Sequence, residues 1–274
     1  MLTALRLEVF KLIRKPRTYI GPAALAGLTG IILVSMVYGS DFRHIQDRLE
    51  SEFFLTGSIE NAAFMTCMML ELVSFVLLPL FACMVFGDLL ASEAADGTLR
   101  MMLCRPITRF KVVVSKYIVG AAYTLALTVG MGVFSYLVGL IFLGRGSLVS
   151  VNGGIWILPE RMAMMRLLLA YGLAAVGMVA IGSMAFAIST LLSNSNGAIV
   201  GAMGLVICST IIGQIQYFDN IKPYLLTTYL HVGQFIVGKP DMALYHKSLY
   251  VMAAYAVVSL AVGLVIFSRK DVLS

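Results

Sequence analysis

Six apolar runs, each long enough to cross a lipid bilayer as a helix, dominate the hydrophobic pattern of the chain. A spanning helix needs about 20 mostly apolar residues, because only helices and closed barrels satisfy their own backbone hydrogen bonds in hydrocarbon. The pattern therefore predicts an all-α membrane protein in which residues 1–274 form a single transmembrane domain. The predicted spans cover residues 19–38, 62–86, 117–143, 167–192, 197–217 and 249–267.

The composition agrees with a bilayer as the surrounding solvent. Hydrophobic residues make up 60% of the chain and charged residues only 12%, whereas about a quarter of the residues in a soluble domain are charged. The cations behind the net charge of +6 flank the apolar runs, which favours lipid phosphates over nucleic acid as the anionic partner. The cysteines and histidines are dispersed without ligand spacing, so we expect no metal site.

The distribution of Lys and Arg predicts how the chain is oriented. With the N-terminus inside, 12 of these cations fall in inner segments and 8 in outer loops. Most of the excess lies before the first span and in the loop between the second and third spans. Because cytoplasmic loops carry the excess of Lys and Arg, we expect a multi-pass protein of the cytoplasmic (inner) membrane with both termini in the cytoplasm.

Residues 1–17 have the spacing of an amphipathic helix that Pro16 ends. Basic side chains alternate with an apolar face formed by Leu2, Leu5, Val9, Leu12 and Ile13. A helix of this kind lies at the membrane interface with its cations among the lipid phosphates. The segment is therefore predicted to be an interfacial helix. The alternative is a topology signal with no further role.

Two outer loops contain more than a simple connection. Residues 41–54 show helical apolar spacing among mixed charges, which predicts a short surface helix. Residues 224–237 are apolar but too few to cross the bilayer, so we expect a re-entrant or interfacial segment. Either loop would line an exit for cargo or form a lid over helix ends.

The loop between the second and third spans has the pattern of a short helix held between two longer ones. Gly97 and Pro106 are expected to end helices, and Thr98 and Thr108 to begin them. The short helix would expose Leu99, Met102 and Leu103, which favours insertion into a groove of another protein. The alternative is a loop that folds back on the membrane and is anchored there by its arginines.

The residues in and beside this loop resemble those of a known family. They are Glu93, Gly97-Thr98-Leu99, Arg105-Pro106, Arg109 and Lys116. This motif is similar to the loop of type-two ATP-binding-cassette (ABC) transporter permeases, a class that includes drug, sodium, antibiotic-peptide and polysaccharide exporters. The resemblance extends to the N-terminal Glu8, Lys11 and Arg14, to the six-span layout and to the long outer segment between the last two spans.

The resemblance implies that the loop is a cytoplasmic coupling helix that docks into a cleft of a separate ABC ATPase subunit. The implied docking positions are Glu93, Gly97, Thr98, Leu99, Arg100, Met102, Leu103, Arg105 and Arg109, with Glu93, Arg105 and Arg109 as their polar frame. Two ATPase copies would carry ATP and Mg, and a second permease copy or a homologous permease would complete the translocation pathway as a dimer. The chain itself lacks a GxxxxGK[ST] phosphate loop, so we expect it to need no cofactor and not to be an enzyme by itself. The alternatives are a secondary transporter or channel, or a membrane scaffold subunit.

Glu71 is the acidic residue that lies well inside a predicted span, about 13 Å along the helix from its outer end. A carboxylate at that depth costs several kcal/mol in lipid unless it is protonated, paired or facing water. We expect Glu71 to face the central cavity and to contact a polar or cationic substrate or a gate. The alternative is a structural hydrogen bond to a hydroxyl such as that of Thr124 or Thr128. Pro79 is expected to kink the same span.

Overall fold

A computed structural model describes residues 2–38, 60–95, 108–150, 156–192, 194–236 and 241–269. Within these ranges helices occur at each of the predicted apolar runs. In chain order they are α1 (Leu2–Arg14), α2 (Arg17–Tyr38), α3 (Ala62–Ser74), α4 (Leu77–Ala95), α5 (Arg109–Phe142), α6 (Glu160–Leu191), α7 (Ser195–Gln214) and α8 (Met242–Arg269). Five of the helices described are long and apolar enough to cross a membrane, and α3 with α4 makes a sixth if this bent pair is one span. The prediction of a helical fold with five to six helices long and apolar enough to cross a membrane is confirmed.

The second predicted span is broken between α3 and α4, whose axes differ by 56°. The break lies at Phe75 and Val76, three to four residues before Pro79. Proline lacks a backbone N–H, and its ring clashes with the carbonyl group four residues earlier, so a helix cannot continue regularly through this turn. The α-helical pattern of backbone hydrogen bonds resumes where the Leu80 N–H donates to the carbonyl of Val76 at 3.0 Å. The predicted kink is confirmed.

Helix α6 is the centre of the bundle and packs against α3, α4, α5, α7 and α8. The ring of Phe86, on α4, is fully buried between two glycines, Gly120 of α5 and Gly182 of α6. The rings of Tyr117 and Phe186 complete this contact, with centroids 5.6 and 6.2 Å from that of Phe86. Close packing of small and aromatic residues therefore joins α4, α5 and α6.

The two ends of the bundle differ. At one end, here called the α1 end, α1 lies beside the last turns of α4 and the first turns of α5. The end of α8 is at this end too, because Arg109 of α5 donates to the Ser268 carbonyl at 3.2 Å. At the opposite end, here called the ribbon end, β1 (Leu148–Ser150) and β2 (Trp156–Leu158) pair as an antiparallel ribbon. The hydrophobic pattern did not predict this ribbon. Asn61 ties it to α3, because its amide donates to the Ser147 carbonyl at 2.7 Å.

The connection from α7 to α8 folds back into the bundle from the ribbon end. It contains the short 3₁₀ helices Gln216–Phe218, Lys222–Tyr224, Leu226–Leu230 and Val232–Phe235. Leu230 reaches Gly177 at the midpoint of α6, and Arg166 donates to the Ile236 carbonyl at 2.9 Å. The described part of the segment predicted at 224–237, residues 224–236, thus dips between helices and returns without forming a span. The surface helix predicted at 41–54 lies outside the described residues.

Candidate functional site at the α1 end

Helix α1 packs on the bundle through a face that the apolar spacing did not predict. Its inward-facing side chain is Glu8, which is only 5% exposed. Leu12 and Leu5 beside it are half-buried, whereas Val9 and Ile13 are exposed, at 43% and 51%. The exposed Val9 and Ile13 are open to lipid, so contact of the apolar face with the membrane interface stays a prediction. Glu8 contacts the buried Lys116 of α5 and Lys11 contacts Glu93 of α4, and these two contacts fix the rotation of α1.

Four charged residues, here called the Lys116 cluster, join α1 to α4 and α5; they are Glu8, Lys11, Glu93 and Lys116. The Lys116 Nζ atom lies 3.0 Å from Oε2 of Glu8 and 2.8 Å from Oε1 of Glu93. Lys11 approaches the same Glu93 oxygen at 2.9 Å and Glu8 at 3.6 Å. Each lysine therefore bridges both carboxylates, and the charges alternate around the cluster.

Three members of the Lys116 cluster, Glu8, Glu93 and Lys116, are buried, so their charges must be paired within the protein. The side chain of Lys116 is 1% exposed, and a buried charge is tolerated only when it is paired and hydrogen-bonded. Partial burial by itself would lower the pKa of Lys11, but the hydrogen bond and negative charge of Glu93, together with Glu8, raise it above its usual value. The cluster carries no net formal charge, which makes it compatible with a site beside the bilayer.

Asp88, one and a half turns before Glu93 on α4, organises a second set of contacts. Its carboxylate lies 2.8 Å from Nζ of Lys15 and 3.3 Å from Nη1 of Arg17, so it holds the junction between α1 and α2. The hydroxyl of Ser195, in the first turn of α7, donates to the same carboxylate at 3.0 Å and so connects α7 to α4. Asp88 thus ties α1, α2 and α7 to α4.

Together, the contacts of Asp88 and the Lys116 cluster surround a narrow cavity of about 40 Å³ beneath α1. The cavity is large enough for about one or two water molecules, so the charged groups are held mainly by one another. Residues 96–107 connect the two helices, α4 and α5, that this end of the bundle holds together. The contacts of Asp88 and the Lys116 cluster can hold the end of α4 and the beginning of α5 in a fixed relative position. They include no group of reacting side chains.

Residues 30–273 match a family described as a protein of unknown function, DUF2705. The chain belongs to the DUF2705 family. Over 206 residues it is also 28% identical to the uncharacterized protein YhcI of Bacillus subtilis (strain 168), an alignment that covers 72% of this chain. This DUF2705 chain spans 65% of the length of YhcI. The matched family region includes Asp88, Glu93 and Lys116, whereas α1 precedes it.

The predicted docking residues of this DUF2705 chain lie in different surroundings. Gly97, Thr98, Leu99, Arg100, Met102, Leu103 and Arg105 lie outside the described residues. Glu93 faces α1 and α5 and is 8% exposed, so it is not available to a docking partner as the resemblance implied. Arg109 is exposed in the first turn of α5, where Thr108 occupies the N-cap position without the expected side-chain cap.

Glu71 lies away from the α1 end, on an exposed face of α3. Its carboxylate is beside Gly233 of the folded-back segment, where an added Cβ would lie 2.6 Å from Oε1. The alternative bond to Thr124 or Thr128 is not formed, because the Thr128 hydroxyl donates to the Thr124 carbonyl and the Thr124 hydroxyl has no partner among the described residues.

Sequence reasoning missed the roles of Asp88 and Ser195. The signal for Asp88 was present, because this acidic residue stands inside an apolar helix that continues through Leu89, Leu90 and Ala91 and therefore needs a cationic partner. Ser195 gave no such signal, since a serine after a helix end is usually only a cap. In the part of the DUF2705 chain that the structure describes, no group of three or more His, Cys, Asp or Glu side chains is placed to hold a metal ion.

Proposed function

We propose that this chain is the membrane-spanning permease subunit of a type-two ABC exporter, driven by a separate ATPase through the loop of residues 93–109, which includes residues 96–107 between α4 and α5. In this proposal the α1 end faces the cytoplasm and the membrane is the cytoplasmic one. The chain works as a dimer, or with a homologous permease, and two ATPase copies supply ATP and Mg. Catalysis belongs to the ATPase, and the permease supplies the pathway.

The observation that supports this proposal best is the Lys116 cluster. An ATPase bound at residues 96–107 must move α4 and α5 together if its conformational change is to reach the membrane-spanning helices. Glu93 of α4 and Lys116 of α5 are joined directly at 2.8 Å, and Glu8 of α1 is bonded to the same lysine. Because these buried contacts are costly to break, force applied to the segment would be transmitted to α1, α4 and α5 as one unit.

Exposed surfaces of the bundle are compatible with a second permease copy and with lipid. On α2, Gly27 and Gly30 have no atom within 4 Å of an added Cβ, so this small-residue face is open to another helix. On α1, Leu7 and Phe10 are 58% and 54% exposed and project away from the cluster, as expected for a helix at the membrane interface. The guanidinium of Arg14 lies 4.4 Å from the centroid of the Phe10 ring.

The proposal predicts that Leu99→Asp abolishes binding of the ATPase. A charge placed on an apolar contact in a protein groove costs several kcal/mol because it is desolvated without a partner. The tagged permease is purified from its source membrane, and a co-purifying chain is identified by mass spectrometry as one that carries GxxxxGK[ST]. The ATPase is expected at equal stoichiometry with the native permease and to be lost from the Leu99→Asp complex.

Leu99→Met is the matched control, because it keeps an apolar side chain of similar volume at the same position. It is expected to retain the ATPase and its hydrolysis of ATP. Retention of the ATPase by Leu99→Asp would overturn the assignment of the docking segment. A purified permease that moves its cargo with no ATPase would overturn the proposed function.

A secondary transporter is the second candidate, and one observation favours it. Transporters of that kind place ionisable groups near the membrane midplane on broken helices, and Glu71 lies on one half of a broken span, beside the 3₁₀ helix that contains Gly233. The same features fit the pathway of an ATP-driven permease. The dependence of transport on the co-purified ATPase separates the two functions.

A further inference from the structure

Glu71 lies about 13 Å from the beginning of α3 and is exposed there. Among the described residues, no hydrogen bond or ion pair is made by its carboxylate. The face of α3 around it continues with Met68, Leu72, Phe75 and Val76, which are 36–59% exposed. A carboxylate at this depth is expensive against lipid, so this face of α3 borders a polar space.

The folded-back segment between α7 and α8 leads to the same conclusion. Its backbone is not α-helical where it passes Glu71, and irregular backbone at membrane depth is tolerated only inside protein or beside a water-filled cavity. His231 of this segment is exposed and stacks on Phe75, with ring centroids 6.2 Å apart and planes at 28°. Gly233 leaves the space into which the Glu71 carboxylate projects.

These groups have complementary chemistry around one point. Glu71 supplies a negative charge, Phe75 supplies an aromatic ring one helical turn away, and Leu72 and Val76 supply apolar surface. A ligand that satisfies all three must carry a positive charge and a large apolar body, because aromatic faces attract cations and the carboxylate repels anions. A small hydrated cation would leave the apolar surface unused.

We propose that Glu71, Phe75 and the 3₁₀ helix that contains Gly233 form a binding site for lipophilic cations, and that such cations are the cargo. The identification of the cargo rests on the proposed permease function, but binding of the cation does not. The site needs only this chain, because α3 and the folded-back segment supply all of its groups.

The test uses tetraphenylphosphonium as the probe and tetraphenylborate as its counterpart of the same shape and opposite charge. Both are titrated against the purified full chain in nanodiscs of zwitterionic lipid, with empty nanodiscs subtracted. The cation is expected to bind saturably and the anion not to bind. Glu71→Gln is expected to weaken cation binding about tenfold or more, because it removes the charge and keeps the shape.

Glu160→Gln is the matched control, since Glu160 lies at the ribbon end, where Arg145 is 3.7 Å away. It removes one negative charge from the chain and is expected to leave the affinity unchanged.

A second pair of variants tests the position of the carboxylate with its charge kept. In Gly233→Ala the new methyl group would lie 2.6 Å from Oε1 of Glu71, so the carboxylate must move, and cation binding is expected to weaken several-fold. In Gly213→Ala, on α7, the new methyl group meets only Leu225 at 3.8 Å, which is ordinary contact. This variant is expected to bind like the native chain.

Equal binding of the two ions, no saturable binding of the cation, or unchanged binding by Glu71→Gln would each overturn the inference. These results do not depend on any ATPase. Loss of the ATPase assignment with cation binding retained would count against the permease function only, and an unchanged Glu71→Gln with the ATPase still bound would count against the cation site only.

Discussion

At the scale of single residues, Lys116 is the least exposed charged side chain in the part of the chain that the structure describes. It sits between the carboxylates of Glu8 and Glu93. Lys116→Met is expected to destabilise the protein by about 3–5 kcal/mol, because both carboxylates would remain buried with their main partner gone. The measurement is the thermal unfolding midpoint of the purified protein in detergent.

The control for this variant is Lys111→Met on the same helix, where the lysine is exposed and the change is expected to stay within about 0.5 kcal/mol. A triple variant with Glu8→Leu, Glu93→Leu and Lys116→Met should recover most of the lost stability, since replacing a whole buried ionic group by apolar residues is often neutral. A single variant as stable as the native protein would show that the cluster is solvated and not buried.

Residue-level prediction from sequence was limited by distance along the chain. The position of an N-terminal helix followed from local spacing, but its inward face did not, because Glu8 pairs with a lysine 108 residues away. Local apolar spacing placed Val9 and Ile13 on one face with Leu5 and Leu12, and of these four residues only Leu5 and Leu12 are half-buried. A pattern that covers one helix cannot contain the charges of another helix, and here those charges decide the packing.

At the scale of elements, the contact of α4 with α6 depends on the absence of a side chain at Gly182. A methyl group there would overlap the Phe86 ring, which is already enclosed by Gly120. Gly182→Ala is therefore expected to lower stability by about 1–3 kcal/mol through overpacking, measured as the loss of monodisperse protein on heating.

Gly172→Ala on the same helix is the comparison, because its methyl group would meet only the Tyr245 hydroxyl at 3.9 Å. That change should be neutral or slightly stabilising, since alanine is favoured over glycine inside a helix by up to about 1 kcal/mol. Equal effects of the two substitutions would mean that Phe86 moves aside freely.

The spanning helices were predictable as elements because the bilayer demands long apolar runs. The ribbon of β1 and β2 was not, since strands of three residues at Leu148–Ser150 and Trp156–Leu158 carry little periodic signal. A weak hint was present in the Asn152-Gly153-Gly154 sequence between them, which is typical of a hairpin turn.

At the scale of the whole molecule, α1 and the end of α8 lie at the same end of the bundle, together with the flanks of residues 96–107. The excess of Lys and Arg predicts that this end is cytoplasmic. A green fluorescent protein fused after Ser274 is expected to fluoresce, and alkaline phosphatase at the same site is expected to be inactive, because each reports the compartment in which it folds.

The opposite result, with an active phosphatase and no fluorescence, would place residues 96–107 outside the cell. An ATPase could not reach them there, and the proposed function would fail. The orientation of the whole molecule thus bears directly on the assignment of one short segment. Charge bias gave an expectation for that orientation, but the arrangement of helices around α6 came only from packing between residues far apart in the sequence.

The pairing of Glu8 with Lys116 also has a consequence for synthesis. The ribosome adds about 5–20 residues per second, so on the order of 5–20 s pass before the lysine follows the glutamate out. Until then Lys11 and Lys15 can contact only Glu93 and Asp88 of α4, and Glu8 lacks its partner on α5. The N-terminal helix can therefore complete its docking only after the beginning of the third span has been synthesised, so this docking follows the synthesis of the first two spans.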